Sequence, residues 1–396
     1  MTGRRTAEEQ PARASDKEVA IDPSTETTDQ GRTVAWRPVE SAGASRDAST
    51  LRVGVVGARG AVGRELLELL PELGILAKNM RLFGSTRSAG QSLPYRQRAD
   101  ADFVDLAIAE ATADGFGGLD LVFFSAGGAV SRALAPAAVE AGAIVIDNSS
   151  AFRGEAAVPL IVPEVNGDVL CGFQRPGIIA NPNCTTAIIL TAVNPIHRAA
   201  DVKRMVASTY QAASGAGAAM MAELEQQARE FVEGRELTTE VAGRPYLFNL
   251  FCHESPVGED GLNAEERKLV QESRRIWDAP DLAVSATCVR VPVLRTHCAA
   301  VNLTLARPLT AEDARSLLEA GPGVAVMDHR EMGRFPEPRF ATGRREVLVG
   351  RIRTDASQAE GRGLDLFIAG DQLLKGAAWN AAQIAGRLIG KGALAS

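Results

Sequence analysis

The sequence predicts an α/β protein with two parts, a parallel, doubly wound sheet domain followed by a second, α+β domain. Three observations carry this. Short apolar strands alternate with helical stretches from about residue 51 to 150, the pattern of a doubly wound sheet. The first of those strands runs into a glycine-rich corner, "VGVVGARGAVG". Beyond Cys184 the chain turns to longer β-runs and a strongly amphipathic helix, which suit a mixed domain. At 396 residues the chain is long enough for two cores. A composition of 45% hydrophobic but only 5% aromatic residues fits an interior rich in Ala, Val and Leu.

The elements follow in order. Residues 1–50 are rich in Ser, Thr, Ala, Glu, Asp and Arg without helical or strand period. They read as a disordered tail, with a regulatory or docking arm as the alternative. Val53, Val55 and Val56 form a short buried strand, and an amphipathic helix follows the glycines. "MRLFGST" is strand then loop, "LDLVFFSAGGAVSRALAPAAVEAG" strand, turn and helix, and "AIVIDNSSAFR" a strand ending in polar residues. These fill a first domain over 51–183. The second, over 184–370, opens with a helix at Cys184. "RMVASTYQAASGAGAAMMAELEQQAREF" gives a strand, a small-residue turn and a long helix. "NAEERKLVQESRRIW" is an amphipathic helix with Asn263 as its cap. "LAVSATCVRVPVLRTHCAAVNLTLA" reads as an antiparallel hairpin turning near Arg295-Thr296. The last segment, 371–396, is a helix expected to pack back on the first domain and complete it.

Composition excludes several classes. A net charge of −6 leaves no basic patch for nucleic acid or a membrane surface. No run of about 18 apolar residues predicts a transmembrane helix. "MTGRRTAEEQPARAS" has neither the apolar core of a secretory signal nor the acid-poor make-up of a transit peptide. Five cysteines, odd in number and without a CxxC pair, fit free thiols in a reducing cytoplasm and no metal site.

Two stretches carry chemistry. Gly57, Gly60 and Gly63 sit where a strand meets a helix, so backbone amides there can approach a pyrophosphate at the positive helix end. Alone, the motif equally describes a tight turn without a ligand. After the second strand, where an NAD site carries an acid for the ribose 2′-hydroxyl, this chain has Ser85, Arg87 and Ser88. Hydroxyls and a guanidinium suit a 2′-phosphate, which points to NADP; the alternative for Arg87 is a solvated surface arginine. The second stretch is "IIANPNCTTAIIL". It places Cys184 at a helix start, where dipole and free amides lower a thiol pKa and can hold an oxyanion. A buried structural cysteine is the competing reading, and it is kept for Cys171, Cys252, Cys288 and Cys298. A nucleophilic thiol needs a base. Arg290 and His297, seven residues apart across the predicted turn, can reach one end of a sheet. His197, His253 and His329 read as ordinary surface or packed residues.

Cys184 in "NPNCTT", Gln211 in "TYQAASGAG", and Arg290 with His297 in "CVRVPVLRTH" together resemble the aspartate-semialdehyde dehydrogenase family. With "GDQLLKGAA", the resemblance runs from about Val53 to Leu388. It implies an N-terminal Rossmann-like domain, a C-terminal catalytic and dimerisation domain with the final helix returning to the first, and a homodimer or homotetramer. It also implies NADPH-dependent conversion of aspartyl phosphate to the semialdehyde, in lysine, threonine and methionine supply. Cys184 is then the nucleophile, His297 the general acid/base and Gln211 the residue that orients the substrate. Arg290 is implied as the receptor of the α-carboxylate, Glu265 of the ammonium, Lys268 of phosphate or another part of the substrate, and Arg153 of phosphate. Around the cofactor the resemblance places Gly57, Arg59, Gly60, Ala61, Val62, Gly63, Ser85, Arg87, Ser88, Ser214, Gly215 and Gln372.

This chain departs from the family pattern at Arg59, where a threonine is usual, and at Cys298-Ala299, where Ser-Glu is common. No reacting group is lost, so an active enzyme is expected. The rival readings are another acyl-phosphate or acyl-CoA reductase of this architecture, and a non-catalytic NADP-binding paralogue. Glu265 beside Arg290 favours a substrate with a free amine, and the intact set Cys184, Gln211, Arg290 and His297 favours catalysis.

Overall fold

The computed structural model describes residues 47–96, 102–173 and 175–390. The expectation for the tail therefore lies outside the described residues up to residue 46. Asp47 caps a turn at Ala48–Thr50 by accepting from the Ser49 amide.

The first sheet holds β1 (Val53–Val56), β2 (Met80–Gly84), β3 (Ser92–Arg96), β4 (Phe103–Glu110), β5 (Leu121–Phe124), β6 (Ile144–Asp147) and β7 (Gly177–Ala180). Their spatial order is β3-β4-β2-β1-β5-β6-β7. All neighbours are parallel except the edge strand β3, which pairs antiparallel with β4. β1 and β5 are buried along their whole length, as parallel strands covered on both faces must be. Alternate residues feed two apolar layers: Leu121 and Phe123 enter one, Val122 and Phe124 the other. The closing helix, Trp379–Gly390, belongs to the first of these layers through Trp379, Ile384 and Leu388, so the chain returns to its first domain as expected.

The second sheet holds β8 (Val202–Gln211), β9 (Phe251–Cys252), β10 (Ala283–Arg290), β11 (His297–Leu305), β12 (Val324–Val326), β13 (Val347–Thr354) and β14 (Gly363–Gly370), in the order β12-β13-β14-β11-β8-β10-β9. Here the expected hairpin is corrected. β10 and β11 do not pair with each other; β8 lies between them, parallel to β10 and antiparallel to β11. The reason lies in the linker. Val291 donates to the Gln211 carbonyl, and the Ala213 and Ser214 amides donate to Val293 and Leu294. The connection thus straddles the end of β8 instead of closing on itself. Alternating apolarity reports which residues are buried, not which strand is the neighbour. The helix Ala264–Ile276 begins with a full capping box on Asn263, as its sequence requires.

Candidate active site

β7 ends at Ala180, and Asn181-Pro182-Asn183 turns the chain. The Asn183 side chain accepts from the Thr185 and Thr186 amides at 3.0 and 3.2 Å, so the helix Cys184–Ala200 begins at the thiol. Cys184 is half-buried, and Gly376 packs on it so closely that a methyl there would lie 2.8 Å from the Cys184 Cβ. The expected lowering of the thiol pKa is corrected. Burial pushes the group up to about 11 and Glu265 adds to this, against the smaller opposing pulls of Arg153, Thr185 and Arg290. Of the other cysteines, Cys288 and Cys298 are buried as expected, whereas Cys171 and Cys252 are exposed, lying in a short helical turn and a two-residue edge strand that the sequence pattern did not separate from the core.

Register brings three candidates to one end of the second sheet. Arg290 on β10 lies opposite Gln211 on β8. On the far side of β8, Cys298 pairs with Tyr210, so His297 reaches the level of Gln211. Gln211 donates to Thr185 Oγ1 at 3.0 Å and, more weakly, to Glu265 at 3.4 Å, which ties the sheet end to the cysteine helix. His297 is buried, and burial followed by the Arg290 charge pushes its pKa down to about 3. The Ala212 amide donates to His297 Nδ1 at 3.0 Å, so the neutral ring carries its proton on Nε2. That Nε2 is buried and has no hydrogen-bond partner among the described residues. A methyl on Gly215 would meet both His297 Nε2, at 2.9 Å, and Arg290 Nη1, at 3.0 Å, which makes glycine a steric requirement there. Thr296, just before the histidine, is a buried β-branched residue at φ 82°, held by its amide on Gln372 and its hydroxyl on Thr342.

Glu265 and Lys268 lie one turn apart on the helix Ala264–Ile276 and pair at 2.9 Å. Glu265 is buried. Burial works to raise its pKa, but Lys268, His253 and Asn183 hold it down at about 2, so it stays ionised. Asn183 donates to it at 2.8 Å. Glu272, two turns from Glu265 along the same face, accepts the Asn183 amide at 2.7 Å and pairs with Arg153 at 3.3 Å. Arg153 also donates to the Asn181 and Asn148 carbonyls, so it staples the ends of β6 and β7 to this helix. Glu272 was not picked out from the sequence, although its place at i+7 from Glu265 is visible there. Glu254, which grips Arg290, gave no such signal.

The glycine loop follows β1. Gly57 has φ 84°, and a methyl on it would lie 2.5 Å from the Ser125 carbonyl, while one on Gly63 would lie 2.4 Å from the Gly57 carbonyl. The helix Ala61–Leu69 starts at Gly60 without a side-chain cap. This is a tight backbone cradle with an uncapped helix end, which fits a pyrophosphate, and Ala61 and Val62 form its first turn. Arg59 is exposed beside it. Ser85 and Arg87 are exposed after β2, while the buried Ser88 hydroxyl turns back on the Ser85 carbonyl at 3.0 Å. An acid missed in the sequence, Glu110 at the end of β4, accepts from Thr86 at 2.6 Å. It comes from a strand that is adjacent in space but not in sequence. Ser214 and Gln372 are both buried and bonded to each other, and Gln372 also accepts the Thr296 amide at 2.7 Å.

A relay of side chains joins the loop to the thiol. Gly57 packs on Ser125; Asn148 donates to the Ser125 hydroxyl at 3.1 Å; Asn181, three residues before Cys184, donates to Asn148 at 2.6 Å. The loops after β1, β5, β6 and β7 therefore share one carboxyl edge of the first sheet, where ligands of such sheets bind.

Two family models match the chain: "Semialdehyde dehydrogenase, NAD binding domain" over residues 52–172 and "Semialdehyde dehydrogenase, dimerisation domain" over 193–375. An aspartate-semialdehyde dehydrogenase of Synechocystis is 46% identical over 344 residues, covering 87% of this chain and 99% of the relative. One from Streptomyces akiyoshiensis is 44% identical, covering 85% and 97%. Among solved structures, aspartate semialdehyde dehydrogenase II of Vibrio cholerae complexed with ASA superimposes with a TM-score of 0.79 at 36% identity, covering 85% of this chain and 97% of that one. The Candida albicans enzyme with NADP does so with a TM-score of 0.65 at 25% identity, covering 87% and 100%.

Proposed function

Because the chain belongs to the aspartate-semialdehyde dehydrogenase family, we propose that it converts L-4-aspartyl phosphate to L-aspartate 4-semialdehyde through a thioester on Cys184. The observation that supports this most is the meeting of five groups at one place: a thiol at a helix start, the end of the second sheet carrying Gln211, Arg290 and His297, and the ionised Glu265.

Each group has a task suited to its setting. Cys184 attacks the acyl carbon and phosphate leaves, which divides one hard displacement into two easier steps. Its protonated thiol must first pass its proton to His297. His297 holds its proton on Nε2, so it is armed to donate to the oxygen that gains charge; it accepts a proton only by giving up the Ala212 contact. Arg290 receives the α-carboxylate and the ionised Glu265 the ammonium, a pairing that selects a free amino acid over an acylated amine or a CoA thioester. Gln211 orients the substrate, and Lys268 with Arg153 receives the phosphate. Gly57 to Gly63, Ser214, Gly215 and Gln372 bind the dinucleotide, which supplies hydride when bound. We infer NADP, on the exposed Ser85 hydroxyl and Arg87 guanidinium, the Ser88 hydroxyl being turned inward onto the Ser85 carbonyl; the Candida albicans relative is a structure with NADP. A homodimer is inferred from the match to a dimerisation domain, and exposed Tyr210 beside Phe367 offers an apolar patch on the second sheet. None of the helices among the described residues is long and apolar enough to cross a membrane.

The test is the phosphate-dependent oxidation of aspartate semialdehyde, followed by NADPH formation, with wild type against Cys184→Ala. Wild-type turnover with a fall of about ten-thousandfold in the variant is expected. An inactive wild type would overturn the proposal.

A further inference from the structure

Arg290 does not stand alone at the sheet end. Its side chain is 3% exposed, and a buried guanidinium needs a counter-charge. Glu254 supplies it. Glu254 accepts from Arg290 Nε at 3.1 Å and from Nη2 at 2.8 Å, a two-point grip on one edge of the guanidinium. Nη1 donates to the Ala212 carbonyl at 3.3 Å. Of the five N–H groups of an arginine, these contacts use three. One on each terminal nitrogen remains, and Nη1 stands with His297 Nε2 around Gly215, at the catalytic end of the sheet.

The loop that brings Glu254 here is pinned on both sides. Arg290 pairs with Phe251, and the His253 amide donates to the Cys288 carbonyl at 2.8 Å. On the other side, the Ser255 hydroxyl accepts the Glu265 amide at 3.1 Å, and the Ser255 amide donates to His253 Nδ1 at 3.2 Å. A residue anchored so closely on either side suits holding a partner in place better than swinging aside.

We propose that Glu254 is a positioning residue for substrate recognition: by holding the Nε–Nη2 edge of Arg290 it aims the remaining N–H groups at the substrate carboxylate. This rests on the reading of Arg290 as the carboxylate receptor. The opposite reading makes Glu254 a resident competitor that the substrate has to displace. The two differ in sign, since loss of an aligner weakens substrate binding and loss of a competitor strengthens it.

The experiment compares full-length wild type, Glu254→Ala, Glu254→Gln, Arg290→Ala and the double variant Glu254→Ala/Arg290→Ala in the phosphate-dependent direction. In Glu254→Ala the KM for aspartate semialdehyde is expected to rise about tenfold, with the KM for NADP within about twofold of wild type. Glu254→Gln keeps the shape and one acceptor and shows the same change at smaller amplitude, which also covers a failure of the alanine variant to fold. On the Arg290→Ala background the Glu254 substitution should add nothing, because it acts through the missing group. With 3-aminopropanal, the analogue without the carboxylate, wild type and Glu254→Ala should have equal kcat/KM; a general loss of structure would lower both. An unchanged or lowered KM in Glu254→Ala, with a raised KM in Arg290→Ala, overturns this inference alone. An unchanged KM in Arg290→Ala overturns the reading beneath it.

Discussion

The two halves of the site are made of different material. The dinucleotide side is backbone: Gly57, Gly60 and Gly63 bring chain atoms within contact of one another and leave an uncapped helix end. The substrate side is charge, with Glu265 against Lys268, Glu272 against Arg153 and Glu254 against Arg290; Glu265, Glu272 and Arg290 are buried and Arg153 nearly so, while Lys268 and Glu254 reach the surface. A backbone cradle fails when any side chain is added to it. A charged network can instead be weakened one group at a time, because the remaining partners still hold the geometry.

The largest expected effect falls on the thiol, where both halves meet. If burial controls it, alkylation of Cys184 by iodoacetamide follows the thiolate fraction below a pKa of about 11 and so accelerates roughly a thousandfold from pH 7 to pH 10. Peptide mass spectrometry separates this site from the exposed Cys171 and Cys252. A plateau by pH 8 would mean that the helix start outweighs burial. On the backbone side, Gly63→Ala places a methyl 2.4 Å from a carbonyl oxygen and should raise the KM for the dinucleotide about a hundredfold in a chain that still folds by circular dichroism. On the charged side, Arg290→Lys keeps the charge but loses the planar fork, so KM should rise about tenfold with a lower kcat. Near-wild-type kinetics would remove Arg290 from the site. Smallest is Arg87→Ala. An exposed guanidinium contributes about 1 kcal/mol, so the ratio of kcat/KM for NADP over NAD should fall about fivefold. No change would assign the preference elsewhere, with Glu110 beside Thr86 the first place to look.

Sequence reading succeeded where the physics is local. A strand, a glycine corner and a helix follow one another in the chain, and the Asn263 cap and the Glu265–Lys268 spacing follow from the period of one helix. It failed where neighbours come from elsewhere. The insertion of β8 between β10 and β11 depends on hydrogen bonds between the linker and residues 211–214. Glu110 reaches Thr86 only because β4 lies beside β2, and Glu254 reaches Arg290 only because β9 pairs with β10. The thiol shows a third kind of gap. Its position at a helix start was legible, but the upward shift is set by depth and by Glu265, 81 residues further on, which no local pattern encodes.

The closing helix has a bearing on synthesis. Trp379, Ile384 and Leu388, each worth about 2 kcal/mol when buried, fill a layer whose other members come mostly from residues 51–179, far earlier in the chain. Until the C-terminal stretch emerges, the opening sheet presents a bare apolar face, and the whole second domain is translated in the meantime. A nascent chain of this design needs shielding for that interval, and a stop codon ahead of Trp379 would leave the exposed face permanent.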